Sequence, residues 1–190
     1  MRVLMLGNSY TFCNDMPDIL SDMLGCEVVA HTRGGARLAE QLNPATQMGA
    51  MTKKALQEEQ WNYVVLQEMS NGPITTRESF FTSVFALCEQ IRKSGAVPIL
   101  YATWAYQKDG PRMAAMDWDY DEMYRMMYDA YHEAAEMNQA LIADVGKAFY
   151  ELADSIKLYA PDGSHPTKTG SEIAAKTIAD VIRAAENEKG

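Results

Sequence analysis

The chain has 190 residues, 47% apolar and 23% charged, which is ordinary soluble usage and long enough to bury a core without disulfides or a structural metal. Collagen-like, disordered and membrane-spanning classes are excluded on these figures. Lys plus Arg number 17 against 26 Asp plus Glu, a formal charge of −9; so acidic a surface argues against nucleic acid and against anionic membranes as partners, because phosphate binding needs a basic footprint.

The first apolar run, Arg2 to Leu6, predicts a strand and ends in Gly7-Asn8-Ser9. Its apolar core is too short for a signal peptide, and no later run approaches the roughly 20 residues of a spanning helix, so a cytoplasmic protein is expected. Glu27 to His31 predicts a second strand, ending in Thr32-Arg33-Gly34-Gly35. Tyr63 to Gln67, Ala96 to Thr103 and Ala140 to Val145 predict the third, fourth and fifth. The runs are mostly continuous rather than alternating, as expected of strands buried on both faces. Between them, Phe81, Val84, Phe85, Cys88 and Ile91 recur at helical spacing. Met123, Met126 and Met127 do so within Asp119 to Met137, as do Ile173, Ala174, Thr177, Ile178, Val181 and Ile182 near the end. Alternating β and α elements predict an α/β fold with a five-stranded parallel sheet, doubly wound and flavodoxin-like, in one domain over 1–190. Lys108-Asp109-Gly110-Pro111 marks a long surface loop, 105–118, after the fourth strand. Cys13, Cys26 and Cys88 form no CxxC pair and read as free, buried thiols rather than as a disulfide framework or zinc site.

In open α/β sheets the site lies beyond the carboxyl ends of the strands. Ser9 follows the first strand, where its hydroxyl can enter the crevice; a turn serine capping the next helix is the competing reading. His165 sits in Asp162-Gly163-Ser164-His165-Pro166-Thr167, just before the last helix. A Gly- and Pro-containing loop can fold the Asp162 carboxylate back onto the imidazole, where it fixes the tautomer and stabilises an imidazolium; a loop Asp and a surface His is the alternative. His31 and His132 read as structural or solvated. A serine hydroxyl is a poor nucleophile until a base takes its proton, and in a doubly wound sheet both segments can open on one edge. An acyl-transfer site also needs donors for an oxyanion. The Gly35 N–H and the side-chain amides of Asn71 and Gln67 are candidates, although Gly34-Gly35 and Asn71-Gly72-Pro73 are also ordinary turn sequences. Ser9, Thr11 and Asn14 also resemble the hydroxyl-rich phosphate loop of a flavin-binding protein, the rival from another class, which leaves Asp162 and His165 unexplained.

Taken in order, Gly-x-Ser after strand one, Gly after strand two, Asn after strand three and D-x-x-H-P before the last helix resemble the SGNH (GDSL-type) hydrolase superfamily. The closing block is the most specific part: Asp162, His165, Pro166, Gly170, Ile173 and Ala174 follow the family pattern. The blocks run from Gly7 to Ala174. The resemblance implies a three-layer αβα fold and ester hydrolysis. It makes Ser9 the nucleophile, His165 the base and Asp162 its partner, with the Ser9 and Gly35 N–H groups and the Asn71 amide as oxyanion hole. Two blocks depart from it. Gly-Asn-Ser replaces Gly-Asp-Ser, and Met69-Ser70-Asn71-Gly72 replaces G-x-N-D. The preceding Gln67-Glu68 is similar to the Gln-Gly-Glu block of some carbohydrate acetylesterases, which makes Gln67 the alternative third donor.

The resulting expectation is a serine esterase acting on a small acyl ester, acetyl by preference, on a sugar-like alcohol, and needing neither metal nor cofactor. Asn8, Arg33, Trp104 and Tyr106 are the candidate substrate-binding residues. Trp118, Tyr120 and Tyr124 add aromatic surface near the 105–118 loop, and core packing is the competing reading for all of these rings. A binding module that has lost activity is the remaining alternative.

Overall fold

In the computed structural model, which describes residues 1–188, the five apolar runs become β1 (Arg2–Gly7), β2 (Glu27–Thr32), β3 (Tyr63–Leu66), β4 (Val97–Tyr101) and β5 (Leu141–Ala143). All pair in parallel, in the order β2-β1-β3-β4-β5. The last two residues of the span 1–190 lie outside the described ones. Side chains alternate across the sheet, so each central strand feeds two cores. Val3, Met5, Tyr63, Val65, Ile99 and Tyr101 pack on one face with α2 (Met16–Leu24), α8 (Val145–Leu152) and α9 (Lys168–Asn187). Leu4, Leu6, Val64, Leu66 and Leu100 pack on the other with α4 (Gln47–Glu58), α6 (Arg77–Lys93) and α7 (Tyr120–Met137). Burial on both faces is why β1, β3 and β4 read as continuous apolar stretches, while the edge strands β2 and β5 are half-buried. Helix starts carry the expected signals. Asp119 and Glu122 form a capping box on α7, and the Thr167 hydroxyl caps α9 by accepting from the Gly170 N–H.

Three details differ from the sequence expectation. The strands β4 and β5 are shorter than their apolar runs, β4 ending at Tyr101 and β5 at Ala143, with the Ala102 N–H making a last bond to the Ala143 carbonyl at 3.0 Å. On α6 the buried face is Phe80, Val84, Leu87, Cys88 and Ile91, while Phe85 is 61% exposed. The helix is apolar on more than one side, so periodicity fits two stripes and the sheet selects one. Only Cys88 is fully buried, its thiol pushed up to about 11 by burial; Cys13 and Cys26 are half-buried, and all three are free. Among the described residues no helix is long and apolar enough to cross a membrane.

The order β2-β1-β3 places site and topology in register. The chain leaves β1 toward one edge for β2, then passes back to the other side for β3. The carboxyl ends of β1 and β3 therefore flank the point where the winding reverses, where a crevice opens.

Candidate active site

The β1 strand ends at Gly7, and Ser9 opens the short helix α1 (Ser9–Phe12). Asn8 between them is 2% exposed and fully used: its Oδ1 accepts from the Tyr10 N–H at 3.1 Å and its Nδ2 donates to the Ala36 carbonyl at 3.0 Å. Its own N–H donates to Gln67 Oε1 at 2.9 Å. One asparagine thus ties together the loops after β1, β2 and β3. Gly7 is required for crowding rather than for a left-handed backbone, since a Cβ there would stand 2.5 Å from Thr11 Oγ1 and 2.6 Å from Gln67 Oε1.

The second segment arrives from the far end of the chain. Tyr159 bridges to Pro166, the Ala160 N–H donates to the His165 carbonyl at 2.8 Å, and Gly163 takes φ +69° to close the loop. Asp162 Oδ1 accepts from the Ser164 and His165 N–H groups, both at 3.0 Å, while Oδ2 lies 2.5 Å from His165 Nδ1. His165 Nε2 meets Ser9 Oγ at 2.8 Å across 156 residues of sequence. A carboxylate only accepts, so Nδ1 carries the proton and Nε2 is left to accept from the serine hydroxyl. Such a chain can draw the proton off Ser9 Oγ.

Partial burial pushes the Asp162 carboxyl up, but the hydrogen bonds from the His165 ring and from the Ser164 and His165 N–H groups, with the charge of His165, outweigh it and hold the pKa at about 2 against an ordinary 3.8. A depressed carboxyl contributes its stabilisation in full above the unfolded value and loses it as pH falls through the folded one. The stability difference between wild type and Asp162→Asn is therefore expected to be constant above pH 3.8, to narrow below it, and to vanish as the pH passes about 2. Urea unfolding of both proteins through that range measures it; a difference independent of pH would mean that Asp162 acts by shape and not by charge.

A stack of rings supports the histidine. Trp104 lies 4.0 Å from Phe149 on one face and 4.6 Å from Tyr10 on the other, and its indole N–H donates to the Ser164 carbonyl at 2.9 Å. Tyr10 bonds the Ser164 hydroxyl and presents its edge to the His165 ring at 5.6 Å. Trp104, expected at the substrate, is thus 1% exposed and sits behind the site, because an indole at the end of β4 completes the core under α8. Tyr106 is 4% exposed, with its hydroxyl 3.0 Å from Ser70 Oγ.

The cleft over Ser9 has a volume of about 200 Å³ and is walled by Gly35, Met69, Ser70, Arg112 and Ser164 besides the residues of the relay. Gly35 sits in the turn closed by the Ala36 N–H to the Arg33 carbonyl (3.0 Å) with φ +69°, a shape that favours glycine. The two side-chain amides expected beside it point elsewhere. Asn71 Nδ2 faces Met116 Sδ at 3.9 Å. The Gln67 amide is 1% exposed, accepting from Asn8 and Thr11 and donating to the Glu68 carbonyl. Glu68 is itself buried, which pushes its carboxyl up, and it accepts from the Leu38 and Met69 N–H groups, joining the walls after β2 and β3. Arg33 pairs with Glu40 at 2.6 Å, away from the cleft. Met69, Ser70, Arg112 and Ser164 are wall residues that sequence reading did not assign to the site. Ser70 lies inside the unusual third block, whereas nothing local marks Arg112.

The other histidines stand apart from Ser9. His31 on β2 is partly buried, which lowers its pKa, and its Nδ1 has no partner. His132 pairs with Asp144 at 2.8 Å and stacks on Tyr128, a contact the sequence did not indicate. The residues of the rival phosphate loop are engaged internally. Thr11 bonds Gln67, and Asn14 Nδ2 donates to the Pro166 carbonyl and to Ser171 Oγ. A larger concavity, about 530 Å³, opens between α4 and α6 and has no histidine in its wall.

No family model and no curated protein matches the chain. Among solved structures, a protein from Slackia heliotrinireducens described as an SGNH hydrolase is 45% identical with a TM-score of 0.92, over 96% of this chain and 98% of that one. A DUF4886 family protein from Bacteroides uniformis is 22% identical, with a TM-score of 0.75 over 95% and 82% of the two chains. An acetylxylan esterase from Geobacillus stearothermophilus is 16% identical, with a TM-score of 0.69 over 95% and 93%. These last two share the fold. The first, nearly half identical along almost its whole length, shows that the chain belongs to the SGNH hydrolases.

Proposed function

We propose that the protein is a serine esterase removing a small acyl group, acetyl by preference, from a sugar-like alcohol through Ser9, His165 and Asp162. The observation that carries this reading is the unbroken relay from Ser9 Oγ to His165 Nε2 at 2.8 Å and from His165 Nδ1 to Asp162 Oδ2 at 2.5 Å. Ser9 attacks the ester carbonyl as His165 takes its proton. Asp162 holds the imidazole in the accepting tautomer and stabilises the imidazolium. His165 then protonates the leaving alcohol, and water, deprotonated in turn by His165, releases the acid from the acyl-enzyme.

The backbone N–H groups of Ser9 and Gly35 are the proposed oxyanion donors. Ser9 opens a helix, so its N–H has no partner within it, and Gly35 offers an N–H without a side chain in the way. A donor in place is worth roughly 100- to 1,000-fold in rate. Asn71→Ala is expected to cost less than about tenfold, because its amide is turned to Met116. A loss of the larger size would mean that the amide swings into the cleft when substrate binds. The small cleft supports a short acyl group, and the acetylxylan esterase on the same fold supports an acetylated sugar.

Two assays test the proposal. A fluorophosphonate should add its mass to Ser9 and nowhere else. A panel of O-acetylated mono- and oligosaccharides should be hydrolysed faster than the matching butyryl esters. Labelling at another residue, or equal rates on butyryl esters, would overturn the nucleophile or the acyl class respectively.

A further inference from the structure

Of the eight arginines, seven hydrogen-bond to a carboxylate, a carbonyl or a hydroxyl. Among the described residues, Arg112 alone makes no hydrogen bond and no ion pair, and it is the arginine that walls the cleft over Ser9. Solvated arginines are common, but two further observations separate this one. No Asp or Glu lines the cleft, although the chain carries an excess of nine acidic charges. The guanidinium also stands over the ring of Tyr106, 5.7 Å from its centre, and that ring is buried and bonded to Ser70. The platform under the cation is therefore fixed, and the side chain it carries lines the same cleft as Ser9.

We propose that Arg112 is a specificity-determining residue that selects esters bearing a carboxylate beside the scissile bond. This rests on the Ser9 esterase reading and deepens it. The planar guanidinium offers two parallel N–H donors to the two oxygens of a carboxylate, a match that a neutral substrate does not provide. In a cleft walled by neutral groups no resident carboxylate competes for those donors. The carboxylate sits either on the acyl half or on the alcohol half of the substrate, and the same chemistry serves both.

The test compares kcat/KM for charged and neutral twins, after subtraction of uncatalysed rates. For the alcohol half the pair is 3-acetoxybenzoate and 3-acetoxybenzamide. For the acyl half it is the mono-4-nitrophenyl ester of glutaric acid and its terminal amide. Wild type is expected to favour the charged member of one pair by about tenfold or more, the worth of one charge-assisted bidentate contact. Arg112→Gln should abolish that preference, Arg112→Glu should invert it, and Arg112→Lys should keep part of it. Added salt should weaken the wild-type preference and leave the glutamine variant's ratio unmoved. Preference in the first pair assigns the carboxylate to the alcohol, preference in the second to the acyl group, and either supports the proposal. Wild type hydrolysing both pairs with the same charged-to-neutral ratios as Arg112→Gln overturns it and leaves the esterase reading standing. Failure of that reading looks different: Ser9→Ala would then hydrolyse the neutral amides as fast as wild type.

Discussion

Ser9→Ala is expected to lower kcat on 4-nitrophenyl acetate by at least about 10⁴-fold, with circular dichroism and thermal unfolding unchanged. The size follows from the relay acting as a unit: losing the nucleophile costs nearly as much as losing all three members, and only the donors and substrate binding remain. The fold should tolerate the change. The Ser9 hydroxyl has His165 as its one hydrogen-bond partner and is partly exposed, so the freed imidazole nitrogen can turn to water in the cleft. His165→Ala should match it closely, and the double variant should add little to either single one, because residues of one relay are not additive. Equal rates for wild type and Ser9→Ala would mean that the hydrolysis is background chemistry and that another group does the work.

Trp104→Ala is expected to produce the largest loss of stability, about 3 to 5 kcal/mol, read from urea unfolding. The indole is 1% exposed and packed on both faces, 4.0 Å from Phe149 and 4.6 Å from Tyr10, so its removal leaves a cavity that neighbours in the centre of the sheet cannot fill. It also strands the Ser164 carbonyl that the indole N–H satisfies at 2.9 Å. That carbonyl precedes His165, and the same stack holds Tyr10 against the Ser164 hydroxyl and the His165 ring. The substitution should therefore lower kcat even where the protein is fully folded, since a base displaced by a fraction of an ångström no longer meets the nucleophile. Trp104→Phe separates the two effects. It keeps most of the stacking and loses the indole N–H, so it should recover much of the stability while part of the kcat defect remains. A Trp104→Ala protein with wild-type kcat below its unfolding temperature would show that the stack stabilises the core without positioning the histidine.

Parallel strands buried on both faces have to be apolar at nearly every position, and that demand marks β1, β3 and β4 in the sequence; the half-buried edge strands β2 and β5 show as apolar runs between helical stretches, and the alternation gives the α/β class. The same holds for the chemistry at segment ends. A serine just past the first strand and an Asp-x-x-His loop just before the last helix are local patterns, and the Asp162–His165 contact spans only three residues. Because carboxyl ends of parallel strands share one edge, the meeting of Ser9 with His165 followed from topology once the strands were known. What local pattern could not carry is whatever depends on how distant segments face one another. Phe81 and Phe85 satisfy the helical period as well as Phe80 does, and only the sheet beneath α6 selects between them. Trp104 and Tyr106 follow a strand end, as substrate-facing rings would, but the space behind the cleft needed large rings and took them into the core. Gly7 is glycine because two side chains, one of them Gln67 just past β3, occupy the space a Cβ would need. Arg112 belongs to a loop with no motif, and it reaches the cleft because Gln107 bonds the Gly163 carbonyl at 2.8 Å and Gly110 packs on Gly163, laying that loop beside the histidine's own. Periodicity and spacing are properties of neighbours in the chain; which side chains line a cleft is decided by long-range packing, where a single rotation or crossing moves a residue from solvent to site.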